Sequence, residues 1–234
     1  MIAVYWDFDG TLVKHAHALW STCALRALRE ADPSTTVTLE QIRSLMQCFP
    51  WNEWQQDHTA HVGAAWWAYM ETRFAGVYRQ LGISAAVAGQ AARNVRAWVL
   101  RRENYPLYED ALGTLAALKV AGCKQFLLSN NYPELPEIAH ALGLGTWLDG
   151  VIVSALAGYD KPRPELFAMA KSRCPEADAY VMIGDNPIAD VQGGRDAGMR
   201  TVLVHRGFYP SADVCFDNLR DIVPWILQNQ RKIT

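Results

Sequence analysis

No apolar stretch in this chain approaches the roughly 18 uninterrupted residues of a membrane span, and no basic segment leads into a short apolar core near its start. Neither membrane insertion nor secretion is expected. An excess of charge is also missing: 22 Lys and Arg stand against 24 Asp and Glu, a net of −2, with no run of like charges. That balance argues against nucleic-acid or anionic-membrane binding and points to a small partner met locally. Cysteine is sparse and scattered, at Cys23, Cys48, Cys123, Cys174 and Cys215. The number is odd and no pair has CxxC spacing, so zinc ligation and dithiol redox chemistry find no support, and a reducing cytoplasm is the natural setting.

What is present is an ordinary globular composition, 50% hydrophobic and 20% charged over 234 residues. Such a chain can bury one sizeable core, or one core and a smaller appended domain. Its first residues, MIAVYWDFDGTLV, read as a buried strand that ends on two carboxylates, Asp7 and Asp9. From residue 15 to 104 the pattern is helical throughout. An amphipathic stretch over 15–31 stops at Asp32-Pro33; Thr38 with Gln41 three residues later fits a capping box. A longer helix over 62–81 closes at Gly82, and Ser84 can cap the next, which runs to about residue 102.

From Tyr105 onward, helix and strand alternate. Helices are predicted over 110–121, 134–142, 164–173 and 188–197, and short apolar strands over 124–128, 151–153, 179–183 and 201–204. Short apolar strands separated by helices indicate an α/β fold, a three-layer sandwich of Rossmann-like type with a parallel sheet covered on both faces. Right-handed crossovers place every strand C-terminus on one edge. Asp7 and Asp9, then Ser129 and Asn130, then Lys161, then Gly184 and Asp185 should therefore meet there. Each alone could be a solvated loop residue; their joint placement at strand ends is the signal.

Carboxylates gathered without partners disfavour one another's ionisation, so Asp7, Asp9 and Asp185 imply a cation, and all-oxygen ligands suggest Mg2+. Lys161, the hydroxyls of Ser129 and Thr11, and backbone N–H groups around Gly10 are what an anionic phosphoryl group needs on its remaining oxygens.

These residues also carry a family resemblance. Asp7-Phe8-Asp9-Gly10-Thr11-Leu12, Ser129-Asn130, Lys161 in Lys-Pro-Arg-Pro-Glu-Leu-Phe, and Gly184-Asp185-Asn186-Pro187-Ile188-Ala189-Asp190 resemble, in order, the four motifs of the haloacid dehalogenase-like hydrolase superfamily. The resemblance covers roughly residues 1–14 and 105–234, the expected catalytic core, and by position makes 15–104 an inserted all-helical cap domain. It implies Asp7 as nucleophile, Asp9 as proton donor and acceptor whose backbone carbonyl also ligates the metal, and Asp185 as a further metal ligand. Asp190 would act from behind these ligands, Lys161 would hold Asp7 ionised, and Gly10, Thr11, Ser129 and Asn130 would contact substrate.

Asp9 bears on which bond is broken. Expulsion of halide needs no proton, and members doing that chemistry differ at the position two after the nucleophile, whereas this chain keeps Asp9. Hydrolysis of a small-molecule phosphate monoester is thus the first expectation; a phosphomutase, a dehalogenase and a non-catalytic binding protein are the alternatives. A cap implies a lid with hinges near residues 13–15 and 104–106. Of its tryptophans, Trp51 or Trp54 could stack on a leaving group, although aromatic residues at helical spacing ordinarily fill a core. His15 and His17 read as the start of the insert, and Arg206 as a loop arginine at the catalytic edge. A monomer or a homodimer is expected, the aromatic load weakly favouring a dimer.

Overall fold

The computed structural model describes residues 1–14, 18–46 and 54–233. Strand β1 (Ile2–Trp6) runs through the middle of a six-stranded parallel sheet. On one side lie β2 (Lys124–Ser129) and β3 (Gly150–Val153); on the other lie β4 (Ala179–Gly184), β5 (Arg200–Val204) and β6 (Val214–Phe216). The order is β3-β2-β1-β4-β5-β6, with all neighbours parallel.

The two-residue period of β1 divides its side chains between two apolar layers. Val4 and Trp6 pack with Leu115 and Leu118 of α5 (Ala111–Val120), Leu135 and Ile138 of α6 (Leu135–Ala141), and Ile222 and Ile226 of α10 (Ile222–Ile233). Ala3 and Tyr5 face the opposite layer, where Leu166, Phe167 and Ala170 of α8 (Pro164–Lys171) cover them. Burial on both faces explains why β1 is apolar throughout and why β2 and β5 turn apolar after a polar start rather than alternating.

Between β1 and α5 the chain forms four helices among the described residues: α1 (Leu19–Ala31), α2 (Leu39–Leu45), α3 (Ala64–Gln80) and α4 (Ala85–Val99). The capping box at the start of α2 is present in full, with the Thr38 hydroxyl accepting from the Gln41 N–H and the Gln41 side chain accepting from the Thr38 N–H. Ser84 caps α4 by accepting from the Val87 N–H, and Gly82, at φ +82°, ends α3 in the left-handed conformation that a side chain would oppose. The expected helix over 15–31 begins at Leu19, after Ala18 at φ +64°; His15 and His17 lie outside the described residues.

The two crossings between the helical insert and the sheet lie side by side. Lys14 donates its N–H to the Pro106 carbonyl at 2.8 Å, and Tyr108 donates to Leu12 at 3.0 Å. Apolar packing continues across this junction: Phe8 and Tyr132 both pack on Tyr105, and Trp20 of α1 packs on Tyr132.

Three features depart from expectation. The helix over 188–197 opens as a π-helical segment, Pro187–Gln192, before the short α9 (Gly193–Asp196). A one-turn helix α7 (Ser154–Ala157) follows β3 directly. Strand β6 and helix α10 have no counterpart in the sequence reading, since β6 is three half-buried residues at a sheet edge. No described helix is long and apolar enough to cross a membrane.

Candidate active site

The register of the sheet brings the distant motifs level. Trp6 pairs with Leu127 on one side and Ile183 on the other, so Asp7, Ser129 and Asp185 all emerge within a residue or two of the same edge. Between Asp7 and Asp9, the Phe8 side chain is fully buried against Tyr105, while both carboxylates line the cavity above the sheet. Alternation along an extended chain accounts for this division.

Asp7 is held from three directions. Its Oδ1 accepts from Lys161 Nζ at 2.8 Å and Ser129 Oγ at 3.0 Å, and its Oδ2 accepts from Thr11 Oγ1 at 3.3 Å. Lys161 is 2% exposed and donates also to Asp190 Oδ1 at 2.6 Å. Burial works against its charge, but Asp190 and Asp7 outweigh that and push its pKa up to about 12. Asp190 in turn accepts the Asn186 N–H at 2.9 Å; burial raises its carboxyl well above the usual range, and Lys161 offsets this only in part.

Asp9 is half-buried, and its Oδ2 accepts from Asn131 Nδ2 at 2.7 Å. Burial first, and the nearby Asp7 carboxylate second, push its pKa up to about 7. Near neutral pH this carboxyl exchanges its proton readily, whereas Asp7 is held by the Lys161 ammonium and two hydroxyls. Two carboxyls two residues apart are thereby given different surroundings.

Several sequence-predicted residues do something narrower than expected. Asn130 lines the cavity, but its amide is engaged at both ends by the Lys161 backbone: Nδ2 donates to the Lys161 carbonyl at 2.9 Å and Oδ1 accepts the Lys161 N–H at 2.7 Å. It positions the lysine. Gly10 donates its N–H to the Val13 carbonyl at 2.9 Å, so it supplies room rather than a donor. Its φ is +78°, and an added Cβ would stand 2.5 Å from Asp185 Oδ2. The Thr11 and Ser129 hydroxyls are directed at Asp7. The Asp190 carboxylate comes close to the two expected ligands: carboxylate oxygens of Asp7, Asp185 and Asp190 fall within 4.8 Å of one another.

Two contributors stand out beyond the expected set. Asn131 could have been suspected from its place after Ser129-Asn130. Arg206, read as a loop arginine, donates to Asp185 Oδ2 from Nε at 3.0 Å and Nη2 at 2.6 Å. It follows His205, whose φ is +61° and whose ring stacks on Tyr108 at 3.8 Å. Trp54 does not line the cavity among its described lining residues, whereas Trp20 and Trp66 do; Trp51 lies outside the described residues.

Lys161 bridges Asp7 and Asp190, and Arg206 meets Asp185. The carboxylates of Asp7, Asp9, Asp185 and Asp190 line the cavity with oxygen donors alone. This donor set suits a hard divalent cation.

A parallel sheet with a carboxylate-lined C-terminal edge, and a helical insert between its first two strands, defines a hydrolase-type α/β fold. The family model described as haloacid dehalogenase-like hydrolase matches residues 2–198, and the chain belongs to that family. It is 37% identical over 169 residues to a phosphoserine phosphatase of Thermus thermophilus, covering 68% of this chain and 66% of that relative's length. It is 29% identical to a haloacid dehalogenase-like hydrolase domain-containing protein 3 of Danio rerio, covering 87% and 84%. The fold superposes on a 2-haloacid dehalogenase of Pseudomonas syringae with a TM-score of 0.71 at 22% identity, covering 98% of this chain and 100% of that one.

Proposed function

We propose that the protein hydrolyses the phosphate monoester of a small molecule through an aspartyl-phosphate on Asp7, with Mg2+ as cofactor. The observation that supports this most is the unequal treatment of its two leading carboxyls: Asp7 is paired with Lys161 at 2.8 Å, and Asp9 is left with a pKa near 7. A nucleophile must be ionised; a proton donor must hold a proton and release it.

In the first half-reaction an Asp7 oxygen attacks phosphorus in line, the P–O bond to the leaving group breaks, and Asp9 gives its proton to the departing oxygen. In the second, Asp9 takes a proton from a water that attacks phosphorus and frees Asp7 and inorganic phosphate. Lys161 balances charge on Asp7 throughout, and Ser129 and Thr11 keep its oxygens aimed. Asn131 orients the Asp9 carboxyl. The cation would be held by Asp7, Asp185 and the Asp9 carbonyl, with Asp190 beside them, and when bound would neutralise phosphoryl charge. Nothing in this scheme favours halide expulsion, since a departing halide takes no proton and Asp9 would have no part in it. The helices over 18–104 act as the cap domain, covering the edge during turnover and opening for release. The protein works in the cytoplasm.

The test is phosphate release by the purified protein from a panel of phosphate monoesters, with magnesium and then with a chelator. Release that needs magnesium supports the reading. No release across the panel, with ligands still binding, would sink it in favour of a non-catalytic protein. Transfer of phosphate to a second hydroxyl of the substrate without net release would identify a mutase.

A further inference from the structure

The cavity over Asp7 measures about 580 Å3, within the size range of metabolite sites. Its walls differ in charge. The α/β side supplies every described carboxylate that lines it: Asp7, Asp9, Asp160, Asp185 and Asp190. The helical insert supplies Arg43, His58 and His61 beside aromatic rings, and no carboxylate among the described residues.

We infer that this insert wall is a subsite for a second anionic group, a carboxylate or another phosphate, on the leaving side of the substrate, with Arg43 as its main contact. The inference rests on the phosphatase reading above, since it takes the reacting phosphoryl group to sit at Asp7.

Arg43 lies in the last turn of α2, is exposed, and lines the cavity. Among the described residues its guanidinium has no hydrogen bond or ion pair. The other two cations of the cavity are already matched, Lys161 by Asp7 and Asp190 and Arg206 by Asp185. An anion on the leaving group would give this exposed guanidinium a charge-assisted pair in place of water.

A second observation comes from His58. It is 8% exposed, and its Nε2 has no hydrogen-bond partner, the nearest carboxylate oxygen, Asp160 Oδ2, standing 3.7 Å away. A buried polar atom left without a partner is costly, and a ligand acceptor would relieve it. His61 is set by stacking on Tyr69, ring centroids 4.3 Å apart and 9° from parallel.

The wall is also fixed relative to the acidic edge. His58 donates its N–H to the Gly158 carbonyl and Gly63 donates to Ala155, each at 2.9 Å. Thr59 packs so closely that a Cβ on Gly158 would stand 2.7 Å from its Cα. The segment bearing both histidines is thus docked on the loop that leads to Lys161 when the insert covers the edge.

The experiment compares three esters of matched length, 3-phosphooxypropanoate, 1,3-propanediol bisphosphate and the neutral propyl phosphate, alongside an aryl phosphate. Wild-type kcat/KM should favour at least one anionic-tailed ester over propyl phosphate by roughly 10- to 100-fold. Which of the two is favoured identifies carboxylate or phosphate as the second group. Arg43→Gln should collapse that ratio, chiefly through KM, and Arg43→Lys should retain most of it. Equal rates for charged and neutral esters, or a preference that survives Arg43→Gln, would overturn the subsite while leaving the phosphatase reading intact. No hydrolysis of any ester, the aryl phosphate included, would overturn both.

Discussion

The two walls of the cavity differ in how far their polar groups satisfy one another. On the α/β side Asp7 accepts three side-chain hydrogen bonds, Lys161 divides its ammonium between Asp7 and Asp190, and Arg206 closes on Asp185. On the insert side His58 Nε2 has no hydrogen-bond partner and Arg43 extends into the cavity. Chemistry demands groups held in place before substrate arrives, because rate comes from preorganised charge. Selectivity demands groups that substrate itself completes. The first wall is therefore a closed network and the second an open one, and substitutions should affect them differently.

The largest expected effect is Asp7→Asn, which keeps the shape of the network and removes the nucleophile. Phosphate release should fall by at least about 10^3-fold in a continuous assay. Breaking the network itself is next. Lys161→Met leaves Asp7 and Asp190 buried with no cation between them, and should cost about 3–5 kcal/mol in denaturant unfolding. Lys161→Met combined with Asp190→Asn should recover part of that loss, since one stranded charge is gone.

Asp9→Asn separates stability from function. The raised pKa of Asp9 means that the fold disfavours its charge relative to the unfolded chain, where a carboxyl ionises near pH 4. That cost is absent below about pH 4 and complete above about pH 7. The metal-free variant should therefore be more stable than wild type at about pH 8, on the order of 2 kcal/mol, and equal to it near pH 4. Turnover should meanwhile fall by roughly 10^2- to 10^4-fold. An unchanged unfolding curve at both pH values would show that Asp9 is not strained by its surroundings.

The smallest expected effect lies on the insert side. Trp67 of α3 donates its indole N–H to Glu134 at 2.8 Å, and Glu134 also pairs with Arg96 of α4, joining the insert to the sheet domain. Trp67→Phe leaves that ion pair in place and should cost about 1 kcal/mol, read as a modest shift of the unfolding midpoint. A loss as large as that from Lys161→Met would show that the junction of the insert with the sheet domain is as costly to break as the acidic network.

Five of the six strands were legible because a strand buried on both faces carries a continuous apolar run, as 2–6, 126–128, 151–153, 179–183 and 202–204 do, with Lys124, Gln125 and Thr201 the polar residues at the strand starts. Strand β6 was not: it lies at an edge, half-buried, and its pairing with β5 is what makes it a strand. Asp7, Asp9, Lys161 and Asp185 were legible as strand-end residues in motif order. Their division of labour was only partly so. That Gly10 supplies space and Asn130 holds the Lys161 backbone depends on distances of a few ångströms between loops far apart in the chain.

The sequence by itself determined the family, the parallel sheet and the acidic edge, because strand periodicity and right-handed crossovers carry residues to one edge whatever the loops do. Tertiary structure alone decided which cations are already matched. Arg206 meets Asp185 because β4 and β5 are neighbours, and Arg43 reaches the cavity because the insert is folded over the edge. Charge and exposure belong to a residue only once its neighbours are known, and those neighbours come from packing rather than from order along the chain.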